Sequence, residues 1–88
     1  MKRLGFVIAN ELEEYLAVFQ NRSNFSKTCW AKIPDIALIY PTSQKAISAI
    51  RSISTSHKLW VLSLYETANQ YAVSAFGDDV PPWIENIN

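Results

Sequence analysis

The stretch that most constrains the fold of this chain covers residues 30–53. Within it, residues 36–40 are a continuous apolar run of strand length, which predicts a strand buried on both faces. Pro41 and Thr42 follow at once, and the Thr42 hydroxyl can cap a helix by accepting a hydrogen bond from a first-turn amide. The apolar residues that then recur at helical spacing are Ala46, Ala49, Ile50 and Ile53. The pattern predicts a strand and an amphipathic helix on one core.

Apolar segments on both sides of this unit predict further strands. These are residues 4–9, 12–20, a short 28–32, 58–65 and 69–76. Residues 21–27 are polar without a hydrophobic period and predict a loop or hairpin tip. We therefore predict an α+β fold of order β-β-(β)-β-α-β-β, in which one helix packs on one face of a single, mainly antiparallel sheet of about five strands. Residues 1–79 form one domain in this prediction, and residues 80–88 form a short C-terminal tail.

Length and charge limit the functional classes. The chain has 88 residues, of which 49% are hydrophobic and two are glycine, a composition typical of a single folded domain. Eight basic and eight acidic residues give a formal net charge of zero. This balance excludes a strongly basic nucleic-acid binder and a strongly acidic mimic of nucleic acid. It also lowers the repulsion between copies, which favours a homodimer.

The single thiol and the start of the chain bear on the compartment. Cys29 alone cannot form an internal disulfide, and no apolar stretch of signal-peptide length follows Lys2 and Arg3. No window approaches the ~18 apolar residues of a membrane-spanning helix. We expect a cytoplasmic protein without a membrane partner.

Catalytic chemistry has little support in the sequence. Cys29 and His57 are the only thiol and the only imidazole, and they match no zinc-binding spacing. The acids at positions 11, 13 and 14 lie at a predicted hairpin turn, where charge is usually solvated. With only Gly5 and Gly77, the chain has no glycine-rich phosphate loop. We predict no catalytic, cofactor-binding or metal-binding residue, and no enzyme.

A basic and aromatic segment is one candidate surface. Interleaved aromatic rings and cations are what stacking on unpaired bases beside a phosphate-tracking groove requires. Phe19 and Trp30 occupy strand positions where core packing is the default. The remaining candidate nucleic-acid contacts are Arg22, Phe25, Lys27 and Lys32. The chain lacks the basic excess that supplies non-specific affinity, so this function ranks second.

The C-terminal tail is the other candidate surface. It places Pro82, Trp83 and Ile84 after the last predicted strand. Tryptophan is a frequent anchor at protein interfaces, and prolines lower the ordering cost of presenting it. The alternative is that Trp83 folds back and closes an open end of the core, since large apolar side chains tend to be buried. The sequence leaves both roles open.

Five residues around the predicted strand and helix also carry a resemblance. They are Trp30, Ala37, Tyr40, Ala46 and Ile50. Their order resembles the W…A…[FY]…A…I arrangement of very small phage and prophage proteins, some of which are anti-defence, anti-CRISPR-like inhibitors. The resemblance covers roughly residues 12–53 and transfers no functional residue. It implies a small α+β protein that acts on a larger host protein.

Three functional hypotheses follow. The first is a small non-enzymatic interaction module, a phage or mobile-element inhibitor or accessory protein, that binds a larger host protein through Pro82, Trp83 and Ile84. The second is a small nucleic-acid-binding regulator that uses the basic and aromatic segment. The third is a homodimeric structural protein. None of them calls for a cofactor.

Overall fold

The structure, a computed structural model, describes residues 2–22 and 25–84, with residues 25 and 26 described by their backbone. Its elements are β1 (Lys2–Asn10), β2 (Tyr15–Arg22), β3 (Phe25–Ala31), a 3-10 turn (Pro34–Ile36), α1 (Ser43–Ser52), β4 (Leu59–Glu66) and β5 (Tyr71–Ala75). All strand pairs are antiparallel, and the order in the sheet is β3-β2-β1-β4-β5. The predicted α+β fold, with one antiparallel sheet of about five strands and a single α-helix, is confirmed.

The centre of the sheet is the pair β1 and β4. Their register extends from Lys2 opposite Glu66 to Asn10 opposite Leu59. Successive side chains point to opposite faces, and both faces are apolar. One face, here called the helix face, carries the buried residues Phe6, Ile8 and Leu16. The other, here called the tail face, carries the buried residues Val7, Ala9, Tyr15, Trp60, Leu62 and Leu64.

Helix α1 covers the helix face. The Thr42 hydroxyl accepts a hydrogen bond from the Lys45 amide at 3.2 Å, so the predicted N-cap is confirmed. Ala46 is fully buried, Ile53 is buried at the C-cap, and both pack in the core cluster of this face. The predicted apolar stripe is therefore the one that contacts the sheet. Within the described residues no helix has the length and apolarity needed to cross a membrane.

The prediction of a buried strand over residues 36–40 is wrong. The segment begins inside the 3-10 turn, and Ile36 and Ile39 are 62% and 46% exposed. Only Tyr40 forms a bridge, exchanging backbone hydrogen bonds of 2.7 and 2.8 Å with Phe6. The physical reason is that the segment lies where β1 and β2 diverge and bonds to each strand at one point only, through Tyr40 to Phe6 and through the Leu38 amide, which donates to the Leu16 carbonyl at 2.8 Å. The apolar run instead serves as a short connector.

The strand boundaries around residues 21–27 also differ from the prediction. The segment expected to be a loop is mostly strand, because β2 continues to Arg22 and β3 begins at Phe25. The expected start of the second strand, at residue 12, falls in a turn that ends before Tyr15. Both differences have the same cause. A hairpin that is exposed on one face carries polar residues at its end, and polar composition there does not distinguish paired strands from a loop.

Gly5 permits the close approach of the connector to β1. Its φ is +148°, in a region that side chains rarely adopt, at the register shift between Arg3 and Gly5. A Cβ atom at this position would lie 2.6 Å from the carbonyl oxygen of Tyr40 and 2.8 Å from Cγ2 of Ile39. The first of these neighbours is backbone and is itself bonded to β1. Glycine is therefore needed here for space as well as for conformation.

We expect Gly5→Ala to lower the free energy of unfolding by about 1–3 kcal/mol, because the added methyl group overpacks the connector. Chemical denaturation followed by tryptophan fluorescence measures the change. Gly77→Ala is the matched control, since Gly77 also has a positive φ, of +87°, but a Cβ there meets nothing within 4 Å. Equal losses for the two variants would contradict a steric role for Gly5.

Candidate functional site

The hairpin formed by β2 and β3 extends away from the centre of the sheet. β2 is in register with β1 only at Ala9 opposite Tyr15, whereas β2 and β3 pair from Tyr15 opposite Ala31 to Arg22 opposite Phe25. Residues 18–22 and 25–29 therefore continue beyond the sheet centre as a two-stranded extension, here called the arm. The molecule measures 44 × 24 × 23 Å, as expected when one hairpin extends from a small core.

The base of the arm is anchored on the helix face. Leu16 lies opposite Trp30, and Phe19 follows on the same face after a register shift between Leu16 and Val18. Phe19 and Trp30 are partly buried and pack against the core cluster that includes Leu16 and Ala46. The expectation that these two aromatic residues pack in the core is thus correct. They fix the direction of the arm and are not free to stack on a ligand.

The opposite side of the arm, here called the arm face, is formed by three alternate cross-strand pairs. They are Val18 with Cys29, Gln20 with Lys27, and Arg22 with Phe25. Four of these residues, Gln20, Arg22, Lys27 and Cys29, are exposed, and Val18 is half-buried. The fold therefore places Arg22, Lys27 and position 25 on one side of one hairpin. Two of the four predicted nucleic-acid contacts, Arg22 and Lys27, share this face.

Lys32, the fourth predicted contact, is held elsewhere. Its Nζ lies 3.1 Å from Oε2 of Glu14, in the turn between β1 and β2. A hydrogen bond donated by the Asn10 amide, together with the contact from Lys32, holds the pKa of Glu14 below its usual range. The ammonium group of Lys32 thus forms its ion pair within the protein. It is not part of the arm face.

Asn10 organises the turn from which the arm starts. It is 3% exposed, and its Oδ1 accepts hydrogen bonds from the amides of Leu12 at 2.9 Å and Glu14 at 3.1 Å. Its Nδ2 donates to Oε1 of Glu14 at 3.0 Å. Glu13 adopts a positive φ of 59° in this turn. The sequence indicated a turn at this position. It did not indicate that the buried Asn10 side chain accepts hydrogen bonds from the backbone amides of that turn.

The C-terminal tail closes the tail face of the sheet. Trp83 is half-buried, its Nε1 donates to the Asn10 carbonyl at 3.1 Å, and its ring packs edge-to-face on Tyr15 with centroids 6.0 Å apart. Ile84 is also half-buried against this cluster, and Pro81 is fully buried. Of the three predicted interaction residues only Pro82 is exposed. Trp83 therefore has the core-closing role, and residues 85–88 lie outside the described residues.

Asp79 ties the tail to the start of β4. Its carboxylate accepts a hydrogen bond from Nε1 of Trp60 at 3.2 Å and pairs with Nζ of Lys58 at 2.9 Å. The bond from Lys58, followed by the bond from Trp60, holds the pKa of Asp79 below its usual range. The sequence analysis overlooked this residue. The available signal was a tryptophan in a buried strand, whose ring N–H needs an acceptor.

Within the described residues, the thiol and the imidazole lie in different parts of the fold. Nδ1 of His57 lies 2.8 Å from Oε1 of Glu11, and the pair is exposed. Cys29 lies in the arm opposite Val18, and no contact joins it to His57 in the described part of the chain. Residues 2–22 and 25–84 contain no group of three or more His, Cys, Asp or Glu that could hold a metal ion.

Two shallow concavities lie on the surface. One, of about 320 Å³, is lined only by outward residues of α1, which are Gln44, Ile47, Ser48 and Arg51. The other, of about 510 Å³, lies between Asp35 and the turn that joins β4 to β5. Neither concavity includes the imidazole or the thiol, and neither touches the arm face. No family model, curated protein or solved structure matches this chain.

We expect Trp83→Ala to lower the free energy of unfolding by about 2–3 kcal/mol, below the largest losses for buried tryptophans because the ring is only half-buried. Trp83→Phe keeps an aromatic ring near Tyr15 but removes the N–H donor, and should cost about 1 kcal/mol. Pro82→Ala is the control at an exposed neighbour. Unchanged stability in Trp83→Ala, measured by denaturant unfolding, would refute the core-closing role.

Asp79→Asn should make the stability of the protein less dependent on acid pH. Because the folded pKa of Asp79 lies below its ordinary value of 3.8, the carboxylate stabilises the fold above that value, and this contribution is lost as the pH falls through the lowered pKa. Thermal midpoints measured from about pH 6 to about pH 2 should therefore fall less steeply in Asp79→Asn than in the wild type. Asp78→Asn, the same change one residue away, should follow the wild type. Parallel curves for all three proteins would contradict the assignment.

Proposed function

We propose that this chain is a small, non-enzymatic interaction module of the cytoplasm that binds a larger partner protein through the arm face. The observation that supports this best is the single register pair between β1 and β2, which leaves the β2 and β3 hairpin extended beyond the core. An isolated two-stranded hairpin is marginally stable in water, and only one side of this arm packs on the core through Phe19 and Trp30. A partner protein that covers the arm face would bury the side of the arm that the core leaves exposed.

The charge of the arm face suggests what the partner presents. Arg22 and Lys27 lie on this face, and the arm contains no acidic residue between positions 18 and 29. The chain as a whole is neutral, so the attraction is local to the arm. A partner surface rich in Asp and Glu matches this face and would be recognised at longer range than an apolar one.

The tail contributes less to this function than the sequence analysis predicted. Trp83 and Ile84 are engaged with the sheet, so a partner can contact them only along their exposed portions. Pro82 is the tail residue that is fully available. The resemblance to very small phage proteins supports a larger host protein as the partner. In that setting the chain would inhibit or assist the partner by occupying its surface.

Nucleic-acid binding is the second candidate function. The observation that favours it is the location of Arg22, Lys27 and position 25 on one face, which resembles an electrostatic track for a single strand. Against it stands the position of Lys32, which lies off the arm face and pairs with Glu14 at 3.1 Å. Two cations on the arm would give binding a weak salt dependence, with a slope of only about 1.4 on logarithmic axes for single strands.

The test is affinity capture by the tagged chain from a nuclease-treated lysate, with quantitative mass spectrometry of what is retained. We expect one stoichiometric partner, and Lys27→Glu should reduce its recovery about tenfold or more through charge reversal at the arm face. Lys45→Glu is the matched control, because Lys45 is an equally exposed lysine on α1. Equal recovery with both variants, or retention of nucleic acid alone when nuclease is omitted, would refute protein binding by the arm face.

A further inference from the structure

The outer edge of β3 is the longest open edge of the sheet. β3 is at the end of the strand order, and its seven residues pair with β2 on one side only. Native proteins block such edges with proline, charged side chains such as lysine, bulges or a covering segment. β3 contains no proline, and Lys27 is its one charged residue. The backbone donors and acceptors along this edge therefore form a template for another strand.

The opposite edge of the sheet differs. β5 has five residues, and the 3-10 turn (Pro34–Ile36) packs beside it. In the described part of the chain, β3 has substantial contacts with β2 alone. The arm geometry explains the difference, because the hairpin extends beyond the segments that could have covered its edge. Of the two end strands of the sheet, β3 is therefore the one open to strand addition.

The sequence of β3 is suited to pairing with itself. An antiparallel pair that uses all seven residues of Phe25–Ala31 has its two-fold axis at the middle residue, Thr28. Lys27 of one copy then lies opposite Cys29 of the second copy, and the reverse holds across the axis. Like charges directly opposite each other are destabilising, and this register avoids them. A register centred on Lys27 would place the two ammonium groups face to face.

The surroundings of Cys29 permit this arrangement. Cys29 is exposed on the arm face, so no other part of the described chain occupies the space beside it. The net charge of zero lowers the long-range repulsion between two whole molecules, although each arm is locally basic. A second copy also matches β3 in length and twist by construction, and two-fold dimers are the commonest oligomers.

We propose that the chain forms a homodimer in which the β3 edges of two copies pair antiparallel, with Thr28 at the two-fold axis. The two sheets join into one continuous sheet of ten strands, and the arm faces of both copies lie on the same side of it. Arg22 and Lys27 then occur twice along one surface. This inference does not rest on the proposed function, since it concerns pairing between the backbone edges of two copies, although the Lys27 and Cys29 side chains that set the register lie on the arm face.

Sedimentation equilibrium of the purified protein tests the dimer. We expect the weight-average mass to rise from the 10.0 kDa of one chain towards twice that value as the concentration increases. The contact is one strand edge, so the dissociation constant should fall in the micromolar range that is typical of small interfaces. A mass that stays at one chain up to about 1 mM would overturn the proposal and leave the edge to a strand from another protein.

Substitution of Cys29 tests the register. Cys29→Lys places a lysine opposite Lys27 of the second copy, twice in each dimer, and should raise the dissociation constant about tenfold at low salt. Cys29→Glu places a carboxylate there and should lower the dissociation constant by a similar factor. Cys29→Ser is the neutral control. Because the side chain is exposed, all three variants should keep the wild-type thermal midpoint when it is measured at a concentration at which the protein is monomeric.

The charge series separates this register from other modes of association. Opposite shifts for Cys29→Lys and Cys29→Glu, both reduced by added salt, support the pairing with Lys27. Equal effects of the two variants, or none, would overturn it. The experiment uses only purified protein, so its failure is distinct from failure to capture a partner from a lysate.

Discussion

The full-length antiparallel pairing of β1 with β4 determines what the rest of the chain must do. Both strands are apolar on both faces, and Val7, Ile8, Leu62 and Leu64 are completely buried. A sheet of this kind needs cover on two sides, yet the described chain has a single α-helix. Helix α1 covers one side, and on the other side irregular segments pack on the sheet. This need explains why the tail, and Ala37 just after the 3-10 turn, pack on the core although neither lies in a regular element.

Sequence signals within one segment predicted the structure correctly where that structure depends only on neighbouring residues. The Thr42 cap and the spacing of Ala46 and Ile53 lie within one segment of the sequence. The position of helix α1 could therefore be predicted closely. Residues 36–40 show the limit of the same reasoning. An apolar run reports that a segment can be buried, but it contains no information on which strand edge remains unpaired. That depends on the pairing of β1 with β4, which lies beyond α1 in the chain.

The sequence pattern did not predict the role of Trp83 or the existence of the arm, because both depend on contacts that neighbouring residues do not reveal. The groups that hold Trp83 are the Asn10 carbonyl and the Tyr15 ring, more than sixty residues earlier in the chain. A tail that anchors a partner and a tail that closes a core have the same composition. In the arm, Gln20, Arg22 and Lys27 are polar because one side is exposed, and the sequence therefore resembled a loop. The basic face could be suspected from composition, but only the pairing register shows that Arg22 and Lys27 share it and that Lys32 does not.

The edge and the face of the arm are energetically connected even though different molecules would occupy them. A two-stranded hairpin is marginal by itself, and a third strand with a shared apolar face is what makes such a unit independently stable. Pairing of the β3 edges would therefore order both arms before any partner arrives. Ordering in advance lowers the entropic cost of binding at the arm face, and two faces on one surface raise the effective concentration of the second contact. Dimerisation and recognition by the arm face would then reinforce each other, with the first controlled by Cys29 and Thr28 and the second by Lys27 and Arg22.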